Sequence, residues 1–242
     1  VADMSELTMN DDLGIKMKSK SLATENTKSE SLTELLIEAI VEGELQPGSK
    51  ISEPELAKRL AVSRGPLREA IMRLEGLSLI ERIPHVGARV TTLTPAKLIE
   101  IYAVREALEG MAARLAARHI SDKELVSLEQ LLDQHLSHLD EVSGASYFHQ
   151  QGDFDFHYRI IQASRNDKLI TLLCGELYHL LRMYRYQSPR AHSRPKEALS
   201  EHKFILQAIK NRDEELAEML MRRHISGSRQ LIERQIFLTE NQ

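Results

Sequence analysis

The sequence has no tryptophan, and aromatic residues make up only 5% of its 242 positions. β-Sandwiches and barrels lean on aromatic and β-branched residues. Their scarcity, beside abundant Leu, Ala, Glu and Arg, favours helices. A single cysteine, Cys174, excludes an internal disulfide and fits a reducing cytoplasm. No apolar run approaches the roughly 20 residues of a membrane-spanning helix, so no membrane partner is expected. The first residues carry Asp3, Glu6, Asp11 and Asp12 rather than a basic segment followed by an apolar one, so no secretion signal is visible. Net positive charge is also missing, the formal balance being −4.

What is present is unevenly placed. Between Leu56 and Thr92 stand seven Lys/Arg (Lys58, Arg59, Arg64, Arg68, Arg73, Arg82, Arg89) against three acids (Glu69, Glu75, Glu81). A focused basic surface on an acidic chain suits specific binding of a polyanion, although a solvated helix face produces such runs too. Apolar residues at 42% allow a packed core, in one large domain or two modest ones.

The periodicity predicts two units. Residues 1–28 are polar and unpatterned, and read as a flexible tail. Ser31 opens a helix with Leu32, Leu35, Leu36, Ala39 and Ile40 inward and Glu34, Glu38 and Glu42 outward, and Ser31 with Glu34 makes a capping box. Ser52 caps a second helix with Pro54 in its first turn, and Ser63 caps a third that closes at Gly76. Leu79–Ile83 and Ala88–Thr91 alternate as strands around Pro84-His85-Val86-Gly87, a hairpin. Three helices and a β-hairpin wing, over 29–92, are the order of a winged helix-turn-helix. After a linker at 93–95, the rest (96–238) reads as an antiparallel bundle of six to seven helices, with spans near 95–119, 122–141, 145–164, 167–187, 195–211 and 213–238. The chain is thus expected to be mainly α.

Helix-turn-helix proteins press the N-terminal residues of the second motif helix against base edges in the major groove. Here these are Ser63, Arg64, Gly65, Pro66 and Arg68. Arg64 and Arg68 share a face, and each has the fork for guanine O6 and N7. Gly65 permits close approach to a phosphate, while His85, Gly87 and Arg89 on the wing are placed for the minor groove or backbone. Taken singly, the two arginines are equally suited to surface pairs with Glu69 and Glu75; the helix-helix-wing order favours double-stranded DNA.

The stretch EPELAKRLAVSRGPLREAIMRLEG from Glu53 to Gly76, followed by Leu79-Ile-Glu-Arg and the Gly87 wing, closely resembles the GntR family of bacterial regulators. The resemblance implies operator contacts by Ser63, Arg64 and Arg68. Many members carry a DNA-touching arginine where this chain has Pro54. The segment through Arg82-Ile-Pro-His-Val-Gly-Ala-Arg-Val90 also resembles regulators encoded beside propionate and methylcitrate catabolism, which implies a di- or tricarboxylate effector.

Ten histidines are present. Asp153 and His157 lie four apart on one helical face, His202 sits near an apolar stripe of a later helix, and His224 lies on the last helix. Inward polar groups need partners. Spacing alone is met by local hydrogen bonds as readily as by one shared ion, with Asp155 turned away from His157. Helices 95–238 resemble the C-terminal (FCD) domain of the FadR-type branch, whose Asp-x-x-x-His, Glu-His and later His pattern falls on Asp153/His157, Glu201-His202 and His224. That resemblance implies a divalent metal, zinc or nickel foremost. Arg105, on the inward stripe of the first bundle helix, either pairs with Glu106, Glu109 or a partner in another helix, or captures a small carboxylate effector. Tyr102-x-x-Arg105-x-x-Leu-Glu109 fits the same branch, and Arg182, Tyr184 and Arg185 are further effector-binding candidates. The expectation is a cytoplasmic homodimer that regulates transcription through an organic acid. A metal sensor is the alternative. A metal hydrolase is disfavoured, since no His-Glu-x-x-His motif occurs.

Overall fold

The computed structural model describes residues 25–141, 152–187 and 195–240. The N-terminal unit consists of α1 (Glu25–Val41), α2 (Glu53–Arg59), α3 (Arg64–Gly76), β1 (Ile80–Ile83) and β2 (Gly87–Val90). The strands pair antiparallel with Ile80 opposite Val90 and Ile83 opposite Gly87. The bundle consists of α4 (Pro95–His119), α5 (Asp122–Glu141), α6 (Gly152–Ala163), α7 (Asp167–Leu172), a π-helical turn (Leu173–Leu177), α8 (Tyr178–Gln187), α9 (Pro195–Lys210) and α10 (Glu214–Glu240).

Three local expectations need correction. The first helix begins at Glu25 rather than Ser31, so Ser31 lies inside it and caps nothing. Ser29 and Thr33 are buried one turn apart, and the Thr33 hydroxyl donates to the Ser29 carbonyl at 2.7 Å. α2 and α3 start after Ser52 and Ser63, but neither side chain makes a capping bond; α3 ends at Gly76 as expected, and the left-handed Ser78 (φ +54°) turns the chain. The 167–187 segment is broken, because Gly175 takes φ −93°, ψ −110° inside the π-helical turn. Thr94 and Pro95 open α4 as expected, the Thr94 hydroxyl accepting from Lys97 N.

α4 is the axis of the bundle. Its Ala113, Ala116 and Ala117 are buried in the core with Phe156 and Ile160 of α6 and Ala217 and Met221 of α10. Small residues let α10 lie close along it. A Cβ at Gly110 would stand 2.5 Å from Cγ of Arg222, so the glycine makes room for that stem.

α8 is shared between two cores. Leu181 and Tyr184 face the bundle core, while Leu180 and Met183 are buried in the N-terminal core with Leu36, Ile40, Leu67, Leu74 and Leu79. Glu38 faces solvent as expected and also accepts two bonds from Arg182, at 2.9 and 2.8 Å. Burial and then the Arg182 charge push the neighbouring His179 imidazole below its ordinary pKa, against the pull of Glu38. The winged unit is therefore completed by residues about ninety positions beyond its own last strand.

Met183→Ala should cost about 2–5 kcal/mol, as for other core truncations, although the residue lies outside the winged unit. Amide hydrogen exchange checks it: α1 and α3 should lose protection with α8. Unchanged protection in α3 would show that α8 is not part of that core.

Candidate functional site

The recognition helix presents Ser63, Arg64, Gly65 and Arg68 to solvent, while Leu67, Ala70, Ile71 and Leu74 fasten its other face to the core. A Cβ at Gly65 would meet nothing within 4 Å, which leaves this position open to a close-lying backbone from outside. Arg68 Nε donates to Glu53 at 2.8 Å, so the first residue of α2 orients it. Neither arginine pairs with Glu69 or Glu75 among the described residues; Glu75 is bound to Arg82 at 2.6 Å.

At the wing, His85 (φ +63°) and Gly87 (φ +103°) form the turn, and His85 is exposed. Arg89 is placed differently from expectation. Its Nη1 donates to the Gly48 carbonyl at 2.6 Å, and its backbone bridges Lys50. It braces the wing against the loop before α2, and this explains its position without DNA.

The second constellation is buried in the bundle. Arg105 Nε donates to Glu109 Oε1 at 2.6 Å, one turn along α4. The other oxygen of Glu109 meets His157 Nδ1 at 2.6 Å. All three side chains are at least 95% buried. Burial works to raise the Glu109 pKa, but the charges and hydrogen bonds of Arg105 and His157 overcome it and hold the carboxyl at about 2. Beyond it, His202 Nε2 and His224 Nε2 stand 3.2 Å apart, and His224 Nδ1 meets Glu201 Oε2 at 2.7 Å. His202 stacks on Phe156 with ring centroids 4.2 Å apart.

One ring nitrogen from each of His157, His202 and His224 falls within 4.8 Å of the others. A carboxylate on Nδ1 leaves Nε2 of His157 and His224 as the lone-pair donor, the arrangement that orients metal-ligating imidazoles. The 3.2 Å His202–His224 separation also suits coordination, since two nitrogens on a tetrahedral ion with bonds of about 2.0 Å lie about 3.3 Å apart. The donor set therefore fits a divalent ion. Asp153 is on α6, one turn before His157, with its side chain outside the described residues.

Arg105 remains beside this cluster with its Nη1 buried and without a partner among the described residues. Its guanidinium carbon lies 4.9 Å from the Tyr102 ring centroid. Tyr184 adjoins the same region: burial, then the nearby Tyr102, pushes its hydroxyl up to about 12. Arg182 turns instead to Glu38, and Arg185 is partly buried on α8. The roles of Glu109 and Glu201 as histidine partners were not anticipated. The four-residue step from Arg105 to Glu109 was the available signal for the first; Glu201 touches His224 across helices, which spacing does not encode.

Three helices and a wing carrying an exposed arginine pair, joined to an all-helical bundle, define a winged helix-turn-helix DNA-binding regulator. Residues 28–90 match the family described as "Bacterial regulatory proteins, gntR family", and residues 100–227 match "FCD domain". The chain belongs to the GntR family of bacterial transcription regulators, with an FCD domain following its DNA-binding unit. It is similar to the uncharacterized HTH-type transcriptional regulator YdhC of Bacillus subtilis, at 30% identity over 77% of this chain and 83% of the relative. It also resembles a probable D-xylose utilization operon transcriptional repressor of Paenarthrobacter nicotinovorans, at 29% identity over 84% of this chain and 88% of the relative. The solved structure of McbR/YncC from Escherichia coli shares the fold, with a TM-score of 0.69 at 22% identity over 86% of this chain and 98% of that one. These relatives are transcription regulators and not enzymes. Among the described residues no helix is long and apolar enough to cross a membrane.

Arg64→Ala or Arg68→Ala should each cost about 1–3 kcal/mol of operator affinity and relax preference at one base pair. Binding titrations against operator variants read this, and parental affinity in both would displace the reading helix. For the metal, His157→Ala or His224→Ala should abolish bound divalent ion in elemental analysis. Glu201→Ala should weaken affinity roughly 10–100-fold; full retention in all three variants contradicts the assigned donors.

Proposed function

We propose that this chain is a homodimeric regulator that binds a two-fold operator and responds to a small organic acid held in its FCD domain. Arg105 supplies the anion contact, and a divalent ion on His157, His202 and His224, with Asp153, supplies the second. The single observation behind this reading is the buried Nη1 of Arg105, unpaired among the described residues and one carboxylate away from the histidine cluster. A buried guanidinium nitrogen without a partner is costly. A carboxylate oxygen satisfies it.

When bound, the ion supplies positive charge and an open position for an acid's oxygen. The protein's residues do the rest. Glu109 holds both the Arg105 fork and the His157 ring, so neither needs reorientation on binding. Tyr102 and Tyr184 line the dry side next to the guanidinium. The π-helical turn lies beside the site: Gln162 donates to Cys174 Sγ at 3.8 Å, and Cys174 senses Glu109. Burial pushes that thiol up to about 11, with the Gln162 bond opposing and the Glu109 charge reinforcing.

From the π-helical turn the chain passes directly into α8, which is buried against the winged unit. Ligand binding that changes the population of the irregular turn thereby biases the placement of α1 and the reading helix. The two sites are coupled through one helix with a face in each core.

One observation favours a second reading, in which the ion itself is the signal. Arg105 already has a partner in Glu109, so the fold does not require an organic acid. The two readings separate when operator affinity is measured on stripped and refilled protein with and without added acids.

A thermal-shift screen of di- and tricarboxylates, with and without divalent ion, tests the proposal. A true effector at 100-fold its Kd should stabilise by about 2.7 kcal/mol. That gain should vanish in Arg105→Ala and after chelation. Stabilisation indifferent to both excludes the pocket.

A further inference from the structure

We propose that Met72 is a base-reading residue of the recognition helix and contacts the C5 methyl group of a thymine in the major groove. This rests on α3 being the helix that enters the groove, and it adds to the two arginines a reader of different chemistry.

The two sides of α3 are chemically opposed. Leu67, Ala70, Ile71 and Leu74 are buried in the winged core. Gly65, Arg68, Glu69 and Met72 are exposed on the other side. Met72 follows Arg68 by four residues, so it lies one turn further along the same side. It follows Gly65 by seven, which leaves the two within about 20° of each other around the axis. Its side chain is 66% exposed, the largest value for a large apolar side chain among the described residues. A solitary apolar residue on a surface is ordinary. This one stands on the surface that the fold turns toward DNA, one turn from an arginine that reads it.

The chemistry of this face points to base edges rather than to phosphates. The Glu69 carboxylate is repelled by a polyanion, and a thioether offers a phosphate no donor. Each nevertheless has a counterpart on the floor of the major groove. Arginine pairs with guanine O6 and N7, a carboxylate accepts from the cytosine amino group, and an apolar side chain packs on the thymine methyl group. The residues flanking Met72 are held within the protein, Arg68 by Glu53 at 2.8 Å and Arg73 toward Glu30 at 4.0 Å. Met72 is outside the winged core, and its long, unbranched chain adapts to an irregular surface. Gly65, with open space where a Cβ would stand, lets the helix backbone come close to the groove. Four helical residues advance about 6 Å, the rise of about two base pairs. The thymine therefore lies within about two base pairs of the pair read by Arg68.

The test begins with an operator selected by the full-length parent from a random duplex pool. Each thymine of the selected site is then replaced singly by deoxyuridine, which removes only the methyl group, and affinity is titrated. The parent should lose about fivefold at one thymine per reading helix, the scale of one buried methyl group. That thymine should fall within about two base pairs of the pair whose preference Arg68→Ala relaxes. Met72→Ala should bind the thymine duplex about fivefold more weakly and no longer distinguish it from the deoxyuridine duplex. Met72→Leu should keep the distinction. The salt dependence of affinity should match the parent in both variants, because no phosphate contact is lost. A selected site without a thymine at that distance, or a parent indifferent to deoxyuridine there, overturns the proposal. So does a Met72→Ala chain that keeps the distinction, and an equal loss on both duplexes would place Met72 against another protein surface. If Arg64→Ala and Arg68→Ala also bind like the parent, the reading helix falls; if they lose affinity, only the role of Met72 does.

Discussion

Taking the Glu109 carboxylate out of water would cost several kcal/mol if it stood alone. The bundle offsets this with Arg105 and His157, each at 2.6 Å, one on the same helix and one on α6. Much else depends on that arrangement. It ties α4 to α6, holds Glu109 ionised, and fixes which nitrogen of His157 faces His202 and His224. It also sets the plane of the Arg105 guanidinium, whose Nη1 is left without a described partner. Arg105 and Glu109 thus form a structural ion pair at the heart of the bundle. Removing either partner strands a buried charge, so a substitution here is felt in the stability of the bundle.

The second dependence is on α8. A helix buried on one side only reports to one domain. This one has Leu181 in the bundle core and Leu180 and Met183 in the winged core, with the Arg182–Glu38 pair across the boundary. The irregular turn just before it is the least regular backbone in the described bundle, since Gly175 leaves helical φ/ψ there. The buried site and the winged core are thus joined by a short run of chain, from the irregular turn through α8.

Much of this was legible in the sequence because local chemistry governed it. Pro54, the hairpin punctuation and the Thr94 cap before Pro95 each act within a turn of themselves, while Ser52 and Ser63 mark the boundaries of α2 and α3 without a side-chain cap bond. The Arg64/Arg68 face and the convergence of three histidines also follow periodicity, the latter with the family resemblance added. What escaped was set by distant partners. Glu38 reads correctly as a solvent residue, but its partner Arg182 arrives from far along the chain. Arg89 reads as a free cation until the Gly48 carbonyl takes it. The break at Gly175 lies in a stretch whose apolar spacing continues through it, and a glycine inside a helical pattern does not announce a π-helical turn. The early start of α1 was hidden because its first residues are polar, and apolar periodicity is silent where a helix has nothing to bury.

Sharing α8 also limits how such regulators recombine. The covalent boundary falls near Thr92, but the physical boundary of the winged unit includes residues 180 and 183. A chimera joined at the linker would bring an intact reading helix to a bundle whose α8 was shaped for another α1. The new junction would be judged by the fit of two side chains and one ion pair, not by the length of the linker.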